Sequence, residues 1–130
     1  MKKISFDFDG TINDHFDGGL NPFKVDVQNM IKRLVNEGYD VHIITRRYLD
    51  PRFRENQIVF DIADNVGIKN ENIYFTDRKW KFNIINELGI NFHIDDDESD
   101  IKFIDFHCKD CVGFHLDKNG PEGFYKLITE

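Results

Sequence analysis

Asp7 and Asp9 stand two positions apart, where the apolar run 4–8 meets a glycine. Side chains two apart on a β-strand point to the same face of a sheet, so both carboxylates are predicted to enter one small volume. Two carboxylates that close repel each other unless a proton or a cation lies between them. Because hard divalent cations prefer oxygen ligands, the pair predicts a Mg²⁺ site.

Two other apolar runs also end in polar side chains. The run 40–45 ends in a hydroxyl that is followed by two guanidinium groups, those of Thr45, Arg46 and Arg47. The run 91–94 is followed by a series of carboxylates, those of Asp95, Asp96, Asp97 and Asp100. We expect all of these groups at one edge of a sheet, because ligand sites in open α/β sheets lie outside the carboxyl ends of the strands.

Lys81 is predicted to reach the same edge from a helix. It lies three, four and seven positions before Ile84, Ile85 and Leu88, so it shares their buried seam. That helix runs antiparallel to the strands, and its first turn therefore lies near their carboxyl ends. The ammonium group is expected to contact the carboxylates there. The plain alternative is a surface lysine whose stem covers apolar side chains.

Strand and helix patterns alternate along the chain. Short β-rich apolar runs occur at 3–8, 40–45, 72–76, 91–94 and 111–116, and a helical segment follows each of them. This alternation predicts an α/β fold, a three-layer αβα sandwich around a five-stranded, mostly parallel, Rossmann-like sheet. A chain of 130 residues with 40% hydrophobic side chains fits one domain, 1–130.

Proline and glycine mark the predicted helix ends. One helix is expected from Asn21-Pro22 to Gly38, a second from Asp50-Pro51 to Gly67, and a third over about 77–89. Two more are expected near 98–106 and 121–128. The apolar stripe that packs the second helix on the sheet is predicted to consist of Ile58, Val59, Ile62 and Val66.

Composition limits the classes of partner. The 17 basic and 24 acidic residues give a formal charge of −7, which disfavours sequence-independent binding to polyanions through the whole surface. No apolar stretch approaches the roughly 20 residues of a membrane-spanning helix, so no membrane partner is expected. The first residues lack the apolar core of a signal peptide, and the cytoplasm is the expected location.

Cys108 and Cys111 are flanked by His107 and His115, which together offer enough donors for a four-ligand zinc site. The donors are crowded into one short stretch, and His115 is predicted to lie in a strand. Two reduced thiols are therefore the favoured interpretation, and a disulfide is not expected in a reducing compartment.

The chain resembles the haloacid dehalogenase-like hydrolases, a superfamily in which most members are magnesium-dependent phosphatases. The family's first motif, Asp-x-Asp-Gly-Thr after an apolar strand, matches residues 7–11 in full. The later motifs match Thr45 with Arg47 in a frequent Thr-x-Arg variant, Lys81, and the pair Asp95-Asp96 with Asp100 at the spacing of a further carboxylate. The resemblance covers residues 4 to about 100 and leaves the last thirty for a closing strand and helix.

The resemblance implies a role for each matched residue. Asp7 would be the nucleophile that forms an aspartyl-phosphate, Asp9 the general acid and base, and Thr45 and Lys81 the groups that hold the phosphoryl oxygens. Mg²⁺ would bind Asp7, the backbone carbonyl of Asp9, and Asp96, with Asp95 or Asp100 contacting it through water. The implied substrate-binding residues are Gly10, Thr11, Arg46 and Arg47.

Substrate choice depends on what covers the site. Family members usually carry a cap domain, but only the short segment 13–21 separates the first motif from the first helix, so no cap is expected. An open site suits a nucleotide, and a nucleotidase-like activity on a small phosphorylated substrate is the favoured expectation. A phosphatase that acts on a polynucleotide end or another macromolecule is the alternative.

Two alternatives are not enzymes. A response-regulator receiver domain also groups carboxylates, Mg²⁺, a hydroxyl and a lysine on such a sheet, and Asp77 after the third strand would be its phosphorylated residue. Two features oppose this alternative. The acidic pair of a receiver is adjacent, whereas Phe8 separates the pair in this chain. The lysine of a receiver follows the fifth strand, where this chain has Asp117-Lys118. A silent phosphate-binding domain is the other alternative, although no key carboxylate is missing.

Overall fold

The computed structural model describes residues 2–50, 52, 54–117 and 120–130. Five strands form one sheet, and they are β1 (Lys3–Phe6), β2 (Asp40–Thr45), β3 (Ile73–Phe75), β4 (Phe92–Asp95) and β5 (Val112–His115). Their order across the sheet is β3-β2-β1-β4-β5, and every neighbouring pair is parallel. The α/β prediction is confirmed, and the sheet is wholly rather than mostly parallel.

Five α-helices surround the sheet. They are α1 (Lys24–Asn36), α2 (Gln57–Val66), α3 (Phe82–Leu88), α4 (Glu98–His107) and α5 (Glu122–Thr129). Gly38, Gly67 and Gly89 follow the first three in the left-handed conformation, as expected of glycines that end helices. None of the helices in the described part of the chain is long and apolar enough to cross a membrane.

The helices cover both faces of the sheet. The larger core lies between the sheet and α1, α2 and α5, and it includes Phe6, Ile31 and Phe124. The smaller core lies on the opposite face under α3 and α4, and it includes Ile44 and Ile85. Because side chains alternate along a strand, the apolar residues of β1 enter the larger core while its polar ones face α3 and α4. This arrangement is the predicted three-layer sandwich.

Two helix predictions need correction. The third helix begins at Phe82 and not near residue 77, because Asp77 and Arg78 adopt left-handed conformations with φ of 53° and 71°. Their segment instead continues alongside the end of β2, where the N–H of Arg78 donates to the carbonyl of Arg46 at 2.8 Å. The backbone hydrogen bonds of this turn are thus more favourable than extending the helix over the same residues.

The second helix also differs from its prediction. A 3₁₀ turn at Arg54–Asn56 precedes α2, and Pro51, the expected start, lies outside the described residues. Within α2 the buried positions are Val59, Ala63 and Val66, while Ile58 is 41% exposed. The buried face is therefore rotated toward the small Ala63, and Ile58 is available for another contact.

Strand order determines where a site forms. The chain winds outward from β1 to β2 and β3, and then returns to the other side of β1 for β4 and β5. A crevice forms at the carboxyl ends of the two strands where the winding direction reverses, here β1 and β4. The carboxylates that follow β1 and β4 therefore lie on the two sides of one crevice.

We expect Phe124→Ala to lower the free energy of unfolding by about 3–5 kcal/mol, because it removes a fully buried ring that packs on Phe6 and Phe114. The matched control is Phe106→Ala, since Phe106 is 83% exposed and its loss should change the stability by less than about 0.5 kcal/mol. Denaturant unfolding measures both. Equal effects would show that α5 is not part of the cooperative core.

Candidate active site

Lys81 is the centre of a buried charged cluster. Its side chain is 1% exposed, and its ammonium nitrogen lies 2.7 Å from Asp7 Oδ1 and 2.5 Å from Asp95 Oδ2. Asp100 Oδ2 lies 3.6 Å from the same nitrogen. Burial alone would lower the pKa of Lys81, but the charges of Asp7, Asp95 and Asp100 outweigh it and raise the pKa above its ordinary value. Lys81 is therefore a permanent cation that three carboxylates share.

The turn before α3 delivers Lys81 to this point. Lys81 occupies the cap position of α3, one residue ahead of the first helical residue. Its side chain crosses from the helix layer to the carboxyl ends of β1 and β4, as its phase with Ile85 predicted. The predicted contact between Lys81 and the carboxylates is present, and the surface-lysine alternative does not describe a side chain with this burial.

Asp95 is held by three groups that leave its carboxylate little freedom. Its Oδ2 accepts from Lys81 and lies 2.9 Å from His93 Nε2, while its Oδ1 accepts from the N–H of Asp97 at 3.0 Å. Burial would raise the pKa of Asp95, but the Lys81 ammonium and the hydrogen bond from His93 outweigh it and hold the pKa below its ordinary value. Asp95 is thus a fixed anion.

His93 and Ser5 support Asp95 from inside the sheet. Ser5 Oγ lies 2.6 Å from His93 Nδ1, and both side chains are fully buried. Burial lowers the pKa of His93, so the ring is neutral, donates to Asp95 from Nε2 and accepts the Ser5 hydroxyl at Nδ1. The sequence analysis missed this pair. The available signal was two polar residues inside apolar central strands, which the register places opposite each other.

Asp7 and Asp96 complete a group of carboxylates suited to a cation. Oxygen atoms of Asp7, Asp95 and Asp96 lie within 4.8 Å of one another. Burial raises the pKa of Asp7 well above its ordinary value, and the neighbouring Asp95 carboxylate adds to the effect. A divalent cation would remove this penalty, because it takes the place of the proton between the oxygens. The donor set therefore fits Mg²⁺, with Asp7 and Asp96 as the more available ligands.

The loop after β1 positions Asp7 and Asp96 relative to each other. The Thr11 hydroxyl donates to Asp7 Oδ2 at 3.1 Å and accepts from the N–H of Asp96 at 3.2 Å. Gly10 has a φ of +80°, and its N–H bonds to carbonyl oxygens of Asn13 and Asp14. The hydrogen-bonding groups of Gly10 and Thr11 that we expected to contact substrate are thus used within the loop and the carboxylate pair.

Asp9 is paired with Arg47, a contact that the sequence did not predict. The guanidinium of Arg47 donates to both oxygens of Asp9, from Nε at 2.8 Å and from Nη2 at 2.7 Å. Its Nη1 donates to the carbonyl of Glu55 at 2.7 Å. Such two-point pairs are strong and directional. Arg47 therefore covers both carboxylate oxygens of Asp9.

Thr45 and Arg46 line the other side of the cleft. Thr45 is buried, and its Oγ1 accepts from the N–H of Arg47 at 3.3 Å, which leaves the hydroxyl proton available. Arg46 lies over the ring of Trp80 at 4.5 Å, and it also pairs with Asp97 at 3.7 Å. The expected substrate-binding guanidinium of Arg46 is thus oriented by an aromatic ring and a carboxylate at the rim.

Asp100 is buried without a hydrogen bond. Its side chain is 2% exposed, and neither of its oxygens has a hydrogen-bond partner among the described residues. Burial, only partly opposed by Lys81, raises the pKa of the Asp100 carboxyl to about 6. Its oxygens do not join the three-carboxylate group above, so the expected role of Asp100 at the metal is an indirect one.

The charged side chains of this site and Thr45 line one cleft of about 620 Å³. The catalytic candidates Asp7, Asp9, Thr45 and Lys81 line it, as do Asp95, Asp96 and Asp100. Its rim carries side chains that the sequence analysis did not select, namely His15, Phe16 and Glu55. The volume exceeds what a phosphate group needs, so the cleft has room for the organic part of a substrate.

The cysteine segment does not form a metal site. Within the described part of the chain, Asp7, Asp95 and Asp96 are the one group of three or more such side chains close enough to share an ion. Cys108 and Cys111 are buried free thiols, and His107 stacks on a phenylalanine ring instead. Zinc is therefore not supported by this geometry.

Asp77, on which the receiver alternative depends, lies apart from the cluster. Its carboxylate accepts from the N–H of Leu49 at 3.0 Å and belongs to no group of metal-ligating side chains among the described residues. Lys118, the residue nearest to the position of a receiver's lysine, lies outside the described residues. The geometry around Asp77 gives the receiver interpretation no support.

Comparison with known proteins adds no identification. No protein-family model matches this chain, and no curated protein sequence matches it. The resemblance to the haloacid dehalogenase-like hydrolases therefore rests on the motifs of the sequence, and function is inferred from the geometry of the cleft.

Gly10→Ala should destabilise the protein more than Gly38→Ala does. Both glycines have positive φ, so both substitutions carry backbone strain of about 1–2 kcal/mol. A Cβ at Gly10 would also overlap the Asp96 carboxylate and approach His15 Cε1 to 2.7 Å, whereas a Cβ at Gly38 meets nothing within 4 Å. Thermal unfolding with and without Mg²⁺ measures the difference. Equal losses of thermal stability in the two variants, with the same response to Mg²⁺, would contradict the close approach of Gly10 to Asp96.

Asp100→Asn should stabilise the metal-free protein at alkaline pH. The pKa of Asp100 is about 6 in the folded state against an ordinary 3.8, so ionisation is disfavoured by folding. Stability is then fullest below the ordinary pKa and is lost as the pH rises through about 6. We expect Asp100→Asn to exceed wild type by up to about 3 kcal/mol near pH 8, with no difference near pH 4.

The measurement is urea unfolding of both proteins in EDTA across that pH range. Titrating groups away from Asp100 are common to the two chains and cancel in the difference. A variant less stable than wild type near pH 8 would show that ionised Asp100 stabilises the cluster.

Proposed function

We propose that this protein is a Mg²⁺-dependent phosphate-monoester hydrolase that acts through an aspartyl-phosphate on Asp7. The observation that carries the proposal is the cluster in which buried Lys81 bridges Asp7 and Asp95 beside Asp96. A nucleophilic carboxylate must approach a phosphate dianion, so its surroundings must supply positive charge. The cluster combines such a carboxylate with a fixed ammonium and a set of cation ligands.

Asp7 is suited to be the nucleophile because both of its oxygens are oriented. Lys81 holds Oδ1 and the Thr11 hydroxyl holds Oδ2, so the carboxylate cannot rotate freely at the floor of the cleft. One oxygen attacks phosphorus as the bond from phosphorus to the leaving oxygen breaks, and the Thr45 hydroxyl donates to a phosphoryl oxygen. When bound, Mg²⁺ supplies charge that offsets the repulsion between the two anions.

Asp9 is proposed to transfer the protons. As a carboxylic acid it protonates the leaving oxygen, and as the resulting carboxylate it takes a proton from the water that hydrolyses the aspartyl-phosphate. In the structure Arg47 occupies both oxygens of Asp9, and so this pair must open before Asp9 carries a proton. A substrate phosphate is a competing anion for the guanidinium, which suggests that substrate binding itself releases Asp9.

The open cleft favours a nucleotide or another compact phosphate monoester as substrate. The segment between β1 and α1 is a short closed loop, and nothing of cap size is inserted between β3 and α3. A polynucleotide-end phosphatase is the second candidate, because the same opening admits a chain end. The negative formal charge of −7 disfavours it, since a polyanion would be repelled by most of the surface.

Substitution of the two aspartates tests the chemistry. We expect Asp7→Asn to abolish Mg²⁺-dependent phosphate release, because it removes the attacking oxygen. Asp9→Asn should lower the rate on an alkyl phosphate by about 10²–10⁴-fold. Its effect on an aryl phosphate with an acidic leaving group should be smaller, since that leaving group needs no proton.

The measurement is phosphate release with Mg²⁺ and with a chelator. Asp77→Asn is the matched control, because Asp77 lies outside the carboxylate cluster and should leave the rate unchanged if the proposal holds. Undiminished turnover by Asp7→Asn would refute the assignment of the nucleophile. An equal loss on alkyl and aryl phosphates would remove Asp9 from the role of acid.

A further inference from the structure

A second hollow, of about 410 Å³, adjoins the cleft and shares the pair of Asp9 and Arg47 with it. Asp9 and Arg47 line both spaces, whereas Asp7 and Lys81 line the main cleft alone. His15, Phe16 and Glu55 also line both spaces, so the hollow continues the cleft past these side chains. Phe16 and Ile58 supply the apolar surface of the hollow, and Arg54 lies at its edge.

Phe16 is held in an exposed position by an ordered turn. Phe16 is 66% exposed, and it lines both the cleft and the hollow. The turn is closed by backbone bonds between His15 and Gly19 at 2.8 Å and between Gly18 and His15 at 2.9 Å. The guanidinium of Arg47 lies 4.9 Å from the centre of the Phe16 ring. The ring therefore lies against the guanidinium that pairs with Asp9.

The position of Asp9 indicates what the hollow receives. If Asp9 protonates the leaving oxygen, the organic group on that oxygen must extend past Asp9, away from Asp7 and Lys81. The hollow borders Asp9 but not Asp7 or Lys81, so we take it as the space for that group. The exposed Phe16 and Ile58, which is 41% exposed, would lose contact with water when such a group binds.

We propose that Phe16 and Ile58 form a subsite for an aromatic ring carried by the leaving group of the substrate. This inference rests on the proposed function, because the role of Asp9 defines the direction of the leaving group. A ring stacks favourably on the exposed Phe16, and the cationic Arg47 and Arg54 favour the electron-rich faces of aromatic groups. A nucleobase and the phenol of an aryl phosphate share this chemistry.

Binding of two non-hydrolysable probes tests the subsite without turnover. Phenylphosphonate and methylphosphonate present the same anion to the main cleft, and only the first carries a ring. We expect wild type with Mg²⁺ to bind phenylphosphonate about two- to tenfold more tightly, as measured by titration calorimetry. Phe16→Ala and Phe16→Leu should reduce this ratio toward one, whereas Phe16→Trp should keep it, because the ring face and not apolar area provides the preference.

Phe106→Ala is the matched control, since Phe106 is an exposed phenylalanine on α4 that lines neither space. It should keep the wild-type ratio. A ratio near one in wild type, a ratio unchanged in Phe16→Ala, or failure of wild type to bind either probe would overturn the subsite.

Phosphate release separates this inference from the proposed function. A ring preference that depends on Phe16 in a protein without hydrolytic activity would support the subsite and refute the hydrolase. Hydrolysis without any ring preference would support the hydrolase and refute the subsite. The two sources of the ring are distinguished by comparing KM for adenosine 5′-monophosphate against ribose 5-phosphate, and for phosphotyrosine against phosphoserine, in wild type and Phe16→Ala. The pair whose difference disappears in the variant identifies the source.

Discussion

The ammonium of Lys81 is the interaction on which the site depends. Three carboxylates, those of Asp7, Asp95 and Asp100, lie within 3.6 Å of it, and all of these side chains are almost fully buried. Buried charges of one sign are costly, and removal of the partner of a buried ion pair typically costs about 3–5 kcal/mol. Lys81 therefore makes it possible to concentrate acidic groups at the end of the sheet, and α3 is fixed to β1 and β4 by the same contacts.

One cation cannot neutralise the whole cluster. The negative charge that remains is what would attract a divalent cation. Asp95 is kept ionised by Lys81 and His93, while burial raises the pKa values of Asp7 and Asp100. The metal-free protein thus stores unfavourable electrostatics near Asp7 and Asp96, which a divalent cation would relieve. In our interpretation, metal affinity and local instability have the same cause.

Arg47 connects the catalytic cluster with the hollow. It pairs with Asp9, contacts the Phe16 ring, and lines both the cleft and the hollow. A phosphate monoester would compete with Asp9 for the guanidinium, and its leaving group would enter the space beyond it. Arg47 would then contact both the phosphate and the leaving group of the substrate.

The local pattern of the sequence determined the α/β class, the strand positions, and the edge at which Asp7, Thr45, Lys81 and Asp96 meet. These features follow from hydrophobic period and from residues that end strands and helices, which are properties of short segments. The start of α3 was wrong in the sequence analysis, because the turn at Asp77 and Arg78 depends on backbone bonds to a segment 32 residues earlier.

Only the tertiary structure decided which partners each charged group has. Asp9 pairs with Arg47, and Ser5 supports Asp95 through His93, so these contacts join residues far apart in the chain. The exposure of Phe16 likewise depends on how the elements pack. Such contacts depend on the distances between side chains on different elements, which no periodicity encodes. Residue types fixed what chemistry was available, and packing fixed which groups are free to perform it.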